Sequence, residues 1–380
     1  AQTATVFIGI FEKELEDSNV IVKSLLEACK SDTSSSLLFY LTELLNTTRE
    51  SEELFDDAFP FLMTVLTSGS LELRVASLSA LSALASGSTV KINVHFTSLF
   101  SLLFDLLQST NEIFEQLKPP AIETIAQAVS SVSDNILNEN IVAFVSFCTA
   151  NMNNNDLQIA VSCFNAIDTI VHSNSKFFLS AIEASIPFLC ELASNDVSMK
   201  YKSLIAESIT RSILSSSHND SNLSIDEDFD FDFDLDSLPQ IQITAKSLCI
   251  LSYLLRETVE LCNSLGKHVI ECCKVQSKSS SSACQIASAV AIGNLSEGIA
   301  MTGNPMFENF PFEMSFILDS LISDLKYQLP EDADLLIAFF NACSKIVEWH
   351  EYEKLGAYLR PILHFALEIL SNITSEPSYD

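Results

Sequence analysis

The chain has 380 residues, with 50 Asp and Glu against 20 Lys and Arg and a formal net charge of −30. Yet 48% of its residues are hydrophobic and mean hydropathy is +0.27, which excludes a disordered acidic tail and implies a large core with the charge outside it. Twenty scattered cations cannot make the phosphate footprint of a direct nucleic-acid binder or favour an anionic membrane surface, whereas a field of this sign attracts a basic partner.

Eight glycines and ten prolines are too few for the turns of an all-β fold or the phosphate loops of a nucleotide-binding one. No stretch approaches the roughly 20 uninterrupted apolar residues of a membrane span. The most apolar run, Phe96 to Leu107, is broken by Asp105, so no membrane insertion is expected. Residue 1 is Ala, and no basic segment followed by an apolar block opens the chain, which reads as a portion of something longer. Ten cysteines, at 29, 148, 163, 190, 249, 262, 272, 273, 284 and 343, fall mostly inside apolar helical patterns. Reduced core cysteines behave this way, which points to the cytosol or nucleus rather than to a secreted disulfide framework.

Along the chain apolar residues recur at helical spacing and alternating strand patterns are nearly absent. Thr67-Ser-Gly-Ser70 separates an apolar segment, Phe59–Thr67, from a face marked by Leu71, Val75, Leu78, Leu81 and Ala85. Further on, Ile141–Cys148 precedes the break Asn153-Asn-Asn-Asp156, and Leu157, Val161, Phe164, Ile167 and Val171 mark the next face. A partner helix is then expected over Phe177–Leu192, ended by Ser194-Asn-Asp196, and another over Phe312–Leu325. Segments of this length with short breaks suit antiparallel helices, and the chain is predicted to be all-α.

One kind of helix returns, with a small residue on its inner face: Ala76, Ala121, Ala160, Ala206, Ala245, Ala287 and Ala338, at gaps of 45, 39, 46, 39, 42 and 51. The period is that of HEAT and armadillo units, about 40–47 residues. Most such helices follow a partner richer in large residues, and the reading is an α-solenoid of HEAT repeats over residues 1–214 and 239–380. Between them, residues 215–238 break the rhythm. Asp226, Glu227, Asp228, Asp230, Asp232, Asp234 and Asp236 alternate with Phe229, Phe231, Phe233 and Leu235. Like charges two apart oppose a compact form, so the segment reads as a mobile loop. Its carboxylates suit a Lys/Arg-rich segment, and the phenylalanines add apolar and cation–π contact. A solvated spacer is the alternative, although spacers rarely keep three phenylalanines.

Helix pairs of this period, interrupted by an acidic loop and followed by Ala289-Val-Ala-Ile-Gly-Asn-Leu-Ser-Glu-Gly298, resemble the importin-β (karyopherin-β) nuclear transport receptors. Residues 165–196 and 199–209 are similar to repeats just before the acidic loop in receptors that import ribosomal proteins and histones. Residues 58–81 have the family's helix–turn–helix cadence, with Arg74 at its usual basic position. The resemblance implies basic cargo held on a concave second-helix surface, Phe-Gly nucleoporins between outer helices, regulation by Ran-GTP, and shuttling between cytoplasm and nucleus. The family's first repeats have no counterpart before Asp17, and Trp349 is the single Trp, unlike receptors that use tryptophan runs on classical signals. The rival reading is a HEAT scaffold subunit of a multi-protein complex, of phosphatase-scaffold or chromosome-organising type.

No catalytic constellation stands out. His268, Cys272 and Cys273 in GKHVIECCK place a His and a Cys on one helical face, but tetrahedral zinc needs two further ligands and no C-x-x-C pair exists. Cys249 and Cys262 are the nominal extras, and the periodic helix accounts for these residues as core. The segment SLGKH lacks the spaced first Gly and the hydroxyl of a phosphate loop. His95, His172 and His364 lie apart, and Glu52-Glu53 and Glu331-Asp332 stand at helix starts, where the macrodipole favours acids. No enzymatic activity, metal or cofactor is expected.

Overall fold

A computed structural model of the chain describes residues 18–47, 51–132, 139–195, 238–328, 333–350, 360 and 362–367. All regular elements among them are helical. The contacts divide into two compact units, residues 1–182 and 183–380.

The first unit contains α1 (Ser18–Ser31), α2 (Ser35–Thr47), α3 (Ser51–Ser68), α4 (Leu71–Ser86), α5 (Thr89–Gln108), α6 (Lys118–Ser131), α7 (Glu139–Asn151) and α8 (Leu157–Ile182). They form four hairpins, α1–α2, α3–α4, α5–α6 and α7–α8, and the second helices stack in a row, α2 on α4, α4 on α6, α6 on α8. Local sequence sets the corners. Pro119 and Pro120 sit in the first turn of α6, where a missing N–H costs nothing. The Asp156 carboxylate accepts the Gln158 N–H at 2.9 Å to open α8.

The second unit contains α9 (Ile186–Ser194), α10 (Pro239–Glu257), α11 (Val259–Gln276), α12 (Ser282–Thr302), α13 (Phe310–Gln328) and α14 (Ala333–Trp349). Here α10, α12 and α14 form the row, with α11 behind α12 and α13 against α14. Ser281 caps α12 by accepting the Cys284 N–H, and Gly303 ends it at φ 57°, the left-handed geometry that favours glycine. The two ends of the Ser-rich stretch 278–282 fit the turn that the sequence predicts between α11 and α12.

The period found in the sequence marks these rows. Ala76, Ala121, Ala160, Ala245, Ala287 and Ala338 lie on α4, α6, α8, α10, α12 and α14, and all six are buried. Ala206 lies outside the described residues. Small side chains there let neighbouring helices approach, while Phe55, Phe144, Phe164, Phe310 and Phe339 fill the space between layers.

Two expectations need correction. The helix starting at Leu157 does not stop near Val171: α8 runs unbroken to Ile182, because His172-Ser-Asn-Ser-Lys176 contains neither Gly nor Pro. The expected partner helix Phe177–Leu192 is therefore split, its front belonging to α8 and its rear to α9, after a 3-10 turn at Glu183–Ser185. Second, α5 contains one window, Val90–Gln108, long and apolar enough to span a bilayer by length and composition, with mean hydropathy 1.3. Asp105 does not interrupt it by that measure. Its buried residues Ile92, Phe96, Leu99, Phe100, Leu103 and Leu107 recur at helical spacing, the pattern of a helix with one face in a protein core.

Candidate partner-binding surface

The sequence-predicted site, Asp226, Glu227, Asp228, Phe229, Asp230, Phe231, Asp232, Phe233, Asp234 and Asp236, lies outside the described residues. The chain is described again from Leu238, immediately before Pro239 starts α10.

The first unit presents another acidic surface. Each helix of its row touches the helices beside it and the one behind it, which leaves one stripe uncovered. On α2 that stripe is Phe39, Glu43 and Asn46; on α4 it is Glu72, Val75, Ser79 and Ser82; on α6, Glu123, Gln127 and Ser130; on α8, Gln158, Val161, Asn165 and Asp168. The spacings of three and four residues put each set on one helical face. Every helix thus contributes one carboxylate: Glu43, Glu72 and Glu123 are exposed, and Asp168 is partly buried.

Cations are few on these helices. The Lys and Arg residues of these four helices are Arg74 and Lys118, both in first turns, and Lys176, in the second half of α8. Arg74 donates to the carbonyls of Gly69 (2.9 Å) and Thr67 (3.1 Å) and stacks over Phe114. Lys118 pairs with Glu115 at 2.7 Å. Arg74 and Lys118 are spent on local corners, and the four carboxylates give these helices an acidic excess.

The second unit differs. Ser252, Asn294 and Lys345 form a ladder across α10, α12 and α14: the Asn294 amide donates to Ser252 Oγ at 3.0 Å and accepts from Lys345 Nζ at 2.6 Å. Arg256 pairs with Glu257 (2.8 Å), approaches Glu297 (3.9 Å) and lies over the Tyr253 ring. Burial, with Arg256 close by, holds the Lys345 amine below its ordinary value, and Glu297 and Glu348 act against that. Two glycines allow the ladder to close. A Cβ on Gly298 would stand 2.7 Å from the Leu255 carbonyl oxygen, and one on Gly293 would stand 3.1 Å from Ala342 Cα. This face is mixed in charge, and its charged groups are paired with one another.

The His/Cys group resolves into packing. Cys272 and Cys273 are buried, while His268 is exposed and reaches the Cys190 carbonyl (3.2 Å) and Cys272 Sγ (3.6 Å). Burial, with Cys190 nearby, pushes the Cys272 thiol up to about 12, away from the thiolate a metal or a nucleophile requires. Among the described residues no three His, Cys, Asp or Glu side chains gather as metal ligands. His95 lies against Phe55 (5.5 Å) and Phe59 (4.7 Å), an aromatic packing role between α5 and α3.

Sequence reasoning missed Glu43, Glu72, Glu123 and Asp168. They stand at no common offset from the repeated alanines, and only the stacking order shows which face of each helix stays open.

No protein-family model and no curated protein matches the chain. Among solved structures it is similar to importin beta, at 14% identity and a TM-score of 0.57, over 94% of this chain and 41% of that one. A computationally designed armadillo repeat protein for modular peptide recognition aligns at 15% identity and a TM-score of 0.45, over 77% of this chain and 99% of that one. The chain thus spans less than half the length of importin beta, and the likeness is one of fold: an all-α solenoid of the HEAT/armadillo type.

Proposed function

We propose that the chain acts by binding rather than by catalysis, as a portion of an importin-β-type nuclear transport receptor that carries basic protein cargo. One observation carries this reading: the open face of the first unit holds a carboxylate on each of the four stacked helices, and Arg74 and Lys118 of those helices are committed to local partners. Such a field attracts Lys/Arg-rich segments of the kind found in ribosomal proteins and histones. The importin-beta likeness supports the same direction at the level of fold. The acidic-aromatic residues 226–236 are proposed as a second contributor to the same partner, through carboxylates interleaved with phenylalanines. Ran-GTP releases the cargo, Phe-Gly nucleoporins guide passage, and the protein shuttles between cytoplasm and nucleus.

The test is release. The chain is loaded with a purified core histone, and Ran-GTP is then titrated in, beside a variant in which Asp226, Asp228, Asp230, Asp232 and Asp234 are all Ser. Transport predicts that Ran-GTP displaces the histone and that the variant holds it more weakly, with a shallower salt dependence. A stable stoichiometric complex indifferent to Ran-GTP supports the HEAT scaffold reading instead.

A further inference from the structure

The lysines of the described structure meet two kinds of partner. Lys30, Lys91, Lys118 and Lys274 each donate to a carboxylate. Lys345 donates instead to the amide oxygen of Asn294, at 2.6 Å. Asn294 is fully buried, and its amide nitrogen is fixed in turn on Ser252 Oγ. The Lys345 stem crosses Gly293, where a Cβ would stand 3.3 Å from Lys345 Cδ. Glycine thus leaves room for the stem, and the buried amide sets where the amine stands.

Around that amine stand Arg256 of α10, Glu297 of α12 and Glu348 of α14 itself, and Arg256 also pairs with Glu257. Burial, and then Arg256, hold the amine below its ordinary value against the pull of the two glutamates. At Lys274 the balance is reversed. Burial there is outweighed by Glu271 and Glu313, and the amine lies above its ordinary value. A lysine attacks only as the free amine, and burial beside a second cation is how a protein keeps it free near neutral pH. Lys345 is half-buried rather than enclosed.

We infer that Lys345 is an acyl-acceptor lysine, modified by acyl thioesters. The free amine attacks the thioester carbonyl carbon. A C–N bond forms, the C–S bond breaks, and the sulfur leaves as a thiol with the proton that the nitrogen gives up. Nothing is oxidised or reduced. The product is an uncharged amide. Arg256 then stands alone against Glu257, Glu297 and Glu348, and the acidic excess on this face grows. The consequence for basic cargo rests on the reading above: acylation tightens the hold on it.

The test treats the whole chain with acetyl-coenzyme A across a pH series and follows acetylation at each lysine by peptide mass spectrometry. The rate at Lys345 should level off at lower pH than the rate at Lys274. Arg256→Gln should move the Lys345 profile to higher pH and slow the reaction at neutral pH about threefold or more, whereas Glu297→Gln should move it to lower pH. Opposite shifts separate this assignment from a loosening of the fold, which would move both variants the same way. No acetyl group on Lys345, one profile shared by Lys345 and Lys274, or shifts of one sign in the two variants overturns it. For the effect on cargo, K345Q should bind a purified core histone about two- to fivefold more tightly than the wild type at low salt, with K345R matching the wild type. Wild-type affinity in K345Q overturns that effect and leaves the cargo reading standing. No binding of histone to any of the three proteins overturns the cargo reading and leaves the acceptor lysine standing.

Discussion

Gly298 shows how much one hydrogen atom decides. A methyl group there would meet the Leu255 carbonyl at 2.7 Å and Arg256 Cα at 3.3 Å, both backbone atoms that cannot swing aside. Gly to Ala at an open helical position stabilises by roughly 0.5–1 kcal/mol, but overpacking costs about 1–3 kcal/mol. Gly298→Ala should therefore lower stability, read as a fall in the urea midpoint at unchanged slope. A rise in the midpoint would show that α12 and α10 are not held this close. In the sequence, Gly293 and Gly298 were legible as part of a resemblance, whereas their reason lies in Leu255, Arg256 and Ala342, 42 to 49 positions away. The ladder Ser252–Asn294–Lys345 was not legible at all, since its members stand on three helices and carry no local pattern.

At the scale of the element, periodicity told most of the story and neighbours told the rest. The recurring alanines found the stacked helices, because a helix flanked on both sides must have a small inner residue wherever its backbone comes close. Periodicity could not place the end of α8, where no Gly or Pro stops the helix. Nor could composition say which side of α5 is buried, since both sides are apolar. Val94 is 77% exposed, while Phe96, two residues on, is 2% exposed. Val94→Asp should change stability by less than about 0.5 kcal/mol, and Phe96→Ala should cost about 3–5 kcal/mol. Chemical denaturation of the two variants checks the contrast, and a large loss from Val94→Asp would mean that the exposed face is packed after all.

For the whole molecule, the net charge of −30 is where residue and element meet. What distinguishes the first unit is placement: Glu43, Glu72, Glu123 and Asp168 share the open face of one row, while Arg74 and Lys118 of that row are tied to its corners. The sequence pointed instead to residues 226–236, because a contiguous acidic run is visible by eye while four acids spread over 126 positions are not. The central claim is that this face binds basic protein through those carboxylates. Its most direct test is the affinity for a purified core histone, measured across a salt series, for the wild type and for E43Q/E72Q/E123Q/D168N. Exposed charge pairs contribute about 0.2–1 kcal/mol each, so the quadruple variant should bind roughly tenfold more weakly at low salt. Its log Kd should also rise less steeply with log salt concentration. The same affinity and the same slope in both proteins would contradict the claim.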